Sequence, residues 1–380
     1  MAAISRVGSL KTFFRCLKDP RVRARTDHRL IDIIAIALCG VIANCDGWSD
    51  IIDFANSRIA WFKTFLRLPN GIPCHDTFER VFAKIDPVVF NRCCVAWLRE
   101  VSDLVGLNHL AIDGKSLRGS GSSEVGPLHL VSAWATKANL TLGEVAVEGK
   151  SNEIKAIPEL LKLLDLKGAL VTIDAIGCQK AIAQQIVDKR GDYLLAVKGN
   201  QEHLLDDIQA TVTKALDEDL PKEQVATATT ISEGHGRTEK RTCLVITNLD
   251  DIRDRKLWPG LTTVGMCLRE RTVNGKTTQE THYFIGSGRL GPRKAEKALR
   301  SHWGIENHLH WHLDVHFGED RSRIQERTAA RNFASMRKLA LCVLKRHPLE
   351  KSIPRKRKLA AQNPDFLAEI ITGAAKVVEL

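Results

Sequence analysis

Two apolar runs in this chain each end in an aspartate. "HLAID" covers 109–113 and "GALVTID" covers 168–174. A short unbroken apolar run bounded by turn residues reads as a strand buried on both faces. Strands of that kind belong to parallel sheets covered by helices, which narrows the fold to α/β. "DYLLAV", residues 192–197, is a third run of the same type. "LHLVSAWATKANL" and "TLGEVAVEG" read as two further strands around a turn at Asn139. "NEIKAIPELLKLLD" has helical spacing, with Pro158 as an early break, and "QKAIAQQIVDKRG" is a helix with Gly191 just past its end. The order is three strands, helix, strand, helix, strand. The first three strands can pair as an antiparallel meander, and the last two require crossovers and run parallel. That is the order of a ribonuclease-H-like core, a mixed five-stranded sheet flanked by helices.

The remaining segments fall around this core. Residues 1–105 read as an N-terminal helical domain. It contains the apolar run 33–43, too short for a membrane span and therefore a buried helix. In "CHDTFERVFAKI", Asp76 three residues before Glu79 reads as a capping box. The catalytic core occupies 106–219 and resumes over 288–346. Between them, 220–287 is rich in Thr and Val and reads as a β-rich insertion, with Asn274-Gly275 as a two-residue hairpin turn. A basic C-terminal tail, 347–380, carries "PRKRK".

Composition sets the class. The hydrophobic fraction is 44%, which excludes a disordered chain, and the formal charge is +11, which favours a polyanionic partner such as nucleic acid or a membrane surface. Ten cysteines contain no C-x-x-C pair, and no secretion signal is evident. A cysteine zinc site is therefore not expected, and the thiols are expected to be reduced in a bacterial cytoplasm, near the nucleoid.

Asp113 and Asp174, each at the end of an apolar strand, converge at one sheet edge if their strands are neighbours. The segment "HWGIENHLHWHLDVHFGEDRSR", 302–323, holds five histidines. His302, Glu306 and His310 share a helix face beside an apolar stripe. Glu319 and Asp320 compete with Glu306 as the third carboxylate. His308, His310 and His312 alternate and cannot converge on a helix. The histidines are expected to bond carboxylates and contact phosphate, with a histidine zinc site as the rival. Two Asp and one Glu form an all-oxygen site for Mg²⁺ or Mn²⁺, with room for two ions acting on a phosphodiester. Lys115, Arg118 and Lys198 lie just beyond strand ends, and Arg300, His302, Arg321 and Arg323 flank Glu306. These seven are the candidate DNA contacts.

Several long motifs in order, "GIPCHDTFERVFAKIDP", "AIDGKSLRGS", "VTIDAIGCQKAIAQQI", "YLLAVKGNQ", "EGHGRTEKR" and the histidine-rich segment, resemble the DDE transposases of bacterial insertion sequences. The resemblance covers nearly the whole chain and is to the ISAs-type group with the H-repeat-associated proteins. It implies catalytic and metal-holding roles for Asp113, Asp174 and Glu306. It also implies Mg²⁺-dependent cleavage at element ends and transfer of the freed 3′-OH into target DNA, with a homodimer or larger assembly on the DNA. Related transposases carry Y-x2-R-x3-E-x6-K around the glutamate, and here those places hold Leu299, His302, Glu306 and Leu313. Alternatives to that activity are a nuclease without strand transfer and an inactive DNA-binding relic.

Overall fold

A computed structural model describes residues 10, 12–22, 26–101, 108–121, 125–147, 152–217, 221, 224–234 and 236–373. The boundaries expected near 105 and 219, and His235 of the "EGHGRTEKR" stretch, lie outside those residues.

The chain begins with helices α1 (Leu30–Ile42), α2 (Trp48–Ser57), α3 (Ile59–Phe62), α4 (His75–Phe82) and α5 (Pro87–Val101). The run 33–43 is fully buried in and just past α1, as its uniform hydropathy predicts. The expected capping box is absent: Cys74 is the N-cap of α4, and Asp76 sits one residue inside the first turn. There its charge still faces the positive end of the helix dipole.

The sheet follows. Strands β1 (His109–Leu117), β2 (Leu128–Ala135) and β3 (Leu140–Val147) pair antiparallel in sequence. Helix α6 (Glu153–Lys162) passes through Pro158 without breaking. β4 (Leu170–Ile173), helix α7 (Lys180–Asp188) and β5 (Asp192–Val197) complete a parallel set, β1–β4–β5. Helix α8 (Glu202–Asp217) leads to β6 (Val225–Gly234), β7 (Arg237–Ile246), β8 (Leu261–Val273) and β9 (Lys276–Ser287). The turn Asn274-Gly275 has both φ values positive and closes the β8–β9 hairpin, as its sequence predicts. A five-stranded sheet was expected, yet the order is β3-β2-β1-β4-β5-β9-β8-β7-β6, nine strands in one sheet. The insertion joins the core because β9 pairs antiparallel with β5, whose outer edge would otherwise carry unpaired N–H and C=O groups.

After the sheet comes α9 (Pro292–Ile305), which runs without interruption through a π-helical turn, Glu306–His310, into α10 (Trp311–Phe317). Helix α9 covers one sheet face over Leu170, Leu194, Val245 and Phe284. The alternate residues Val171, Ile173 and Leu195 point the other way, into the main core with α6 and α7. Both faces are thus covered, which is why these strands lack a polar alternation.

The described residues of the C-terminal segment are helical and packed. Helices α11 (Arg327–Arg346), α12 (Ile353–Gln362) and α13 (Pro364–Thr372) pack on the N-terminal helices, and α11 also touches β3. Several basic residues of these helices are inside. Arg357, fully buried, donates to Asp46 Oδ1 and to the backbone oxygens of Val41 and His316. Lys338 Nζ lies 2.5 Å from Glu144 Oε2 and 3.2 Å from Ser132 Oγ, and Ser335 Oγ donates to Glu144 Oε1. Asn332 donates to the carbonyls of Phe82 and Ile85. These contacts tie α11 to the sheet and to the N-terminal helices.

Because Lys338 and Glu144 are both buried, removing one partner leaves an uncompensated charge. Lys338→Met is expected to cost about 3–5 kcal/mol in urea unfolding, and Lys338→Met with Glu144→Leu to recover much of that loss.

Candidate active site

Asp113 was expected at the end of its strand; it lies in the middle of β1, which continues to Leu117. The parallel ladder with β4 nevertheless stops at Ile112↔Ile173, while the antiparallel ladder with β2 continues to Leu117↔Leu128. β1 therefore loses its β4 neighbour at Asp113, and Asp174 is the first residue past β4. The two acids thus follow the last paired rung of the parting strands. Register also fixes Asp113's side of the sheet. Ala111 pairs with Thr172, and residues two apart share a face. Thr172 Oγ1 bonds His302 Nδ1 of α9 at 3.1 Å, so Asp113 belongs to the face that α9 covers.

Glu306 enters from that helix, as the first residue of the π turn. A π turn is a rare local widening that concentrates at functional sites. His310, at the far end of the turn, is buried, with Nδ1 3.4 Å from Glu306 Oε1 and 3.8 Å from Asp113 Oδ2. One ligand atom from each of Asp113, Glu306 and His310 lies within 4.8 Å of the others. Asp174 stands outside this group but close enough that its charge acts on Asp113.

The electrostatics follow from burial and crowding. Asp113 is raised from 3.8 to about 6: burial is the main cause, His310 and the Gly114 N–H oppose it, and Glu306 and Asp174 reinforce it. Asp174 is raised by burial and by the nearby Glu153, against N–H bonds from Ile176 and Gly177 and the charge of Lys198. Glu306 is held below its ordinary value, first by the hydrogen bond from His310. Carboxylates thus converge with too little positive charge from the protein to offset them. Oxygen donors with one imidazole, short of cations, suit a divalent metal ion.

The other expected site residues divide. His302 is not a phosphate contact: it is buried, bonded to Thr172, and burial drives it down to about 4, so it is neutral. It also cannot join Glu306 and His310 in a zinc site. Lys115 is not free for DNA either. Its Nζ lies 2.5 Å from Asp314, 2.9 Å from Glu319 and 3.8 Å from Asp320. Glu319, buried against Lys115, and Asp320 are therefore partners of that lysine and do not form the third carboxylate beside Asp113. Arg118 is exposed, with Nε 3.5 Å from Asp320. Lys198 is exposed beside Asp174. Arg321 and Arg323 are exposed, and Arg300 is exposed on α9. His308 packs by Trp134, and His312 by Trp311 and His316.

A contact that the sequence did not signal is His129, whose Nε2 lies 2.5 Å from Glu153 Oε1 and whose Nδ1 meets Ser116 Oγ at 2.9 Å. A Cβ at residue 114 would come within 2.4–2.5 Å of those His129 and Glu153 atoms, so only glycine fits after Asp113. The "D-G" pair was visible in the sequence, but its reason is a cross-strand and cross-helix contact.

Acidic groups gathered where parallel strands part, beside a covering helix, are an arrangement that an α/β protein can use to hold a divalent metal. Comparison with known proteins makes this specific. Residues 106–343 match the Transposase DDE domain family, and residues 11–98 match the DDE_Tnp_1-associated family. The chain belongs to the DDE transposase family. It is 37% identical to "Putative transposase YncI" of Escherichia coli O157:H7 over 98% of this chain and 96% of that protein. It is also 37% identical to "H repeat-associated putative transposase YhhI" of Escherichia coli K12, over 94% and 96%. Among solved structures, the piggyBac transposase in a synaptic complex with hairpin DNA aligns at a TM-score of 0.40 and 10% identity, over 100% of this chain and 80% of that one. No described helix is long and apolar enough to cross a membrane.

A carboxyl raised on folding holds its proton more tightly in the folded state than in the unfolded chain. Its contribution to metal-free stability is therefore lost as pH rises from 3.8 to about 6. Asp113→Asn is expected to remove that slope, so the variant gains on the wild type between pH 4.5 and pH 7 in urea titrations with chelator present.

Proposed function

We propose that Asp113, Asp174 and Glu306 are the catalytic carboxylates of an insertion-sequence transposase. The reaction is cleavage of DNA at the element ends, followed by attack of the freed 3′-OH on target DNA. One observation carries the assignment: Asp113 and Glu306, 193 residues apart in the chain, each bring a ligand atom within 4.8 Å of the other and of His310, with Asp174 in electrostatic reach. The order β3-β2-β1-β4-β5, with β1, β4 and β5 parallel, supports a ribonuclease-H-like core to which β6–β9 are added.

Asp113, Asp174 and Glu306 are the residues to hold two Mg²⁺ or Mn²⁺ ions, with His310 positioning Glu306 by their hydrogen bond. Such ions, when bound, supply positive charge to the attacking and leaving oxygens of phosphodiester exchange. The residues supply the rest. Asp113, protonated up to about pH 6 without a cation, is poised to exchange its proton for one near neutrality. Glu306, held ionised by His310, remains an oxygen donor throughout. In the first step water attacks the phosphorus and the 3′ oxygen leaves with a proton. In the second, that 3′-OH attacks a target phosphorus and a target 3′ oxygen leaves. The exposed Lys198, Arg118, Arg321 and Arg323 are offered to backbone phosphates, which position the duplex without reading its sequence. Joining two element ends to one target calls for at least two copies of the chain on the DNA.

Asp113→Asn, Asp174→Asn and Glu306→Gln are each expected to lower Mg²⁺-dependent cleavage of an element-end duplex by roughly 10³-fold or more, with DNA binding in chelator retained. Wild-type rates in all three variants would refute the assignment. Joined products on a target plasmid are expected from the wild type, whereas cleavage without joining would identify a plain nuclease.

A further inference from the structure

A cleft of about 1100 Å³ opens between the insertion strands and α9, and its lining does not include Asp113, Asp174 or Glu306. At about 100° per residue, Arg293, Lys297, Arg300 and Gly304 share one face of α9, turned away from the face that presents His302 and Glu306 to the sheet. Seven basic side chains line the cleft against three carboxylates. Glu239 is already engaged by Arg237, Arg241 and Arg269. Lys137, Arg293, Lys297 and Arg300 are exposed and have no ion-pair partner among the described residues. Three further donors on its walls, Trp134 Nε1, Arg241 Nη1 and Arg269 Nε, are buried without an acceptor. Trp134 is 2% exposed. None of these groups can accept a hydrogen bond, so their common need is a ligand made of acceptors. Buried donors without partners are costly, and a bound acceptor offsets that cost.

The arrangement is extended. From Arg293 to Arg300 the helix rises about 10 Å, comparable with two or three successive phosphates along one strand of a duplex. Trp303, 38% exposed and edge-on to His282 at 4.2 Å, adds an aromatic surface to the same wall. We propose that this cleft is a second DNA site, apart from the catalytic carboxylates, that grips the phosphate backbone of a duplex. The inference rests on the transposase reading, yet it uses none of the proposed catalytic residues.

The test is binding of a random-sequence 30-base-pair duplex in chelator over a range of salt, for the intact wild-type chain and two triple variants. Arg293→Ala/Lys297→Ala/Arg300→Ala is expected to weaken binding and to reduce the slope of log K against log salt by about 2.7, the value for three lost phosphate contacts. Lys155→Ala/Lys162→Ala/Lys167→Ala, which removes the same charge from the exposed side of α6 and the loop after it, is expected to leave the slope near wild type. All the substituted side chains are exposed, so thermal unfolding of both variants should match the wild type. An unchanged slope in the cleft variant, or an equal fall in both, would overturn the cleft. Neither result touches the catalytic assignment, which is judged separately by cleavage in Asp113→Asn.

Discussion

Parallel pairing of β1 with β4 holds the rest of this molecule in place. The ladder ends at Ile112↔Ile173, and the two chains part at the next residue in each, Asp113 and Asp174. A carboxylate one residue earlier would be sealed between strands and under a helix, where an unpaired charge is prohibitive. One or two residues later, the two acids would diverge with their strands. The parting point is where Asp113 can be half-buried and Asp174 exposed, within reach of each other's charge. Helix α9 is fixed over this opening by apolar contacts to β4, β5 and β9 and by the His302–Thr172 bond. That contact sets the height at which Glu306 and His310 meet Asp113.

Histidine chemistry around the site shows how position decides role. His302 and His310 are eight residues apart on one helix face. His302 is sealed against Thr172, and burial holds it neutral down to about pH 4. His310 meets two carboxylates and works on their charge. His302, in the Leu-x2-His-x3-Glu arrangement, is thus a core residue, and positive charge near Glu306 comes from His310 and from Lys115 of β1.

The basic surplus of the chain is likewise divided. Arg337, Lys338 and Arg357 are inside, compensated by Glu319, Glu144, Asp46 and backbone carbonyls, and they join the C-terminal helices to the sheet and to the N-terminal helices. Charge left for a polyanion is concentrated on exposed residues of α9 and in the segments after β5 and α10. A net charge of +11 therefore overstates what a DNA duplex would meet at any one face.

The apolar runs, the Asn274-Gly275 turn and the helical spacing were enough to determine the strand set, the parallel and antiparallel pairings and which acids terminate apolar segments. These depend on local periodicity and turn chemistry, which the chain carries residue by residue. Pairing of β9 with β5 and the burial of Lys338 and Arg357 were not legible, because a basic side chain and its remote acidic partner leave no shared local pattern. The same holds for Glu306 over Glu319: both lie in one acidic, histidine-rich segment, and only the packing of Glu319 against Lys115 separates them. Local sequence set what each segment would become, and tertiary contacts across up to 316 residues, as from Arg357 to Val41, decided which charges face inward and which remain for a ligand.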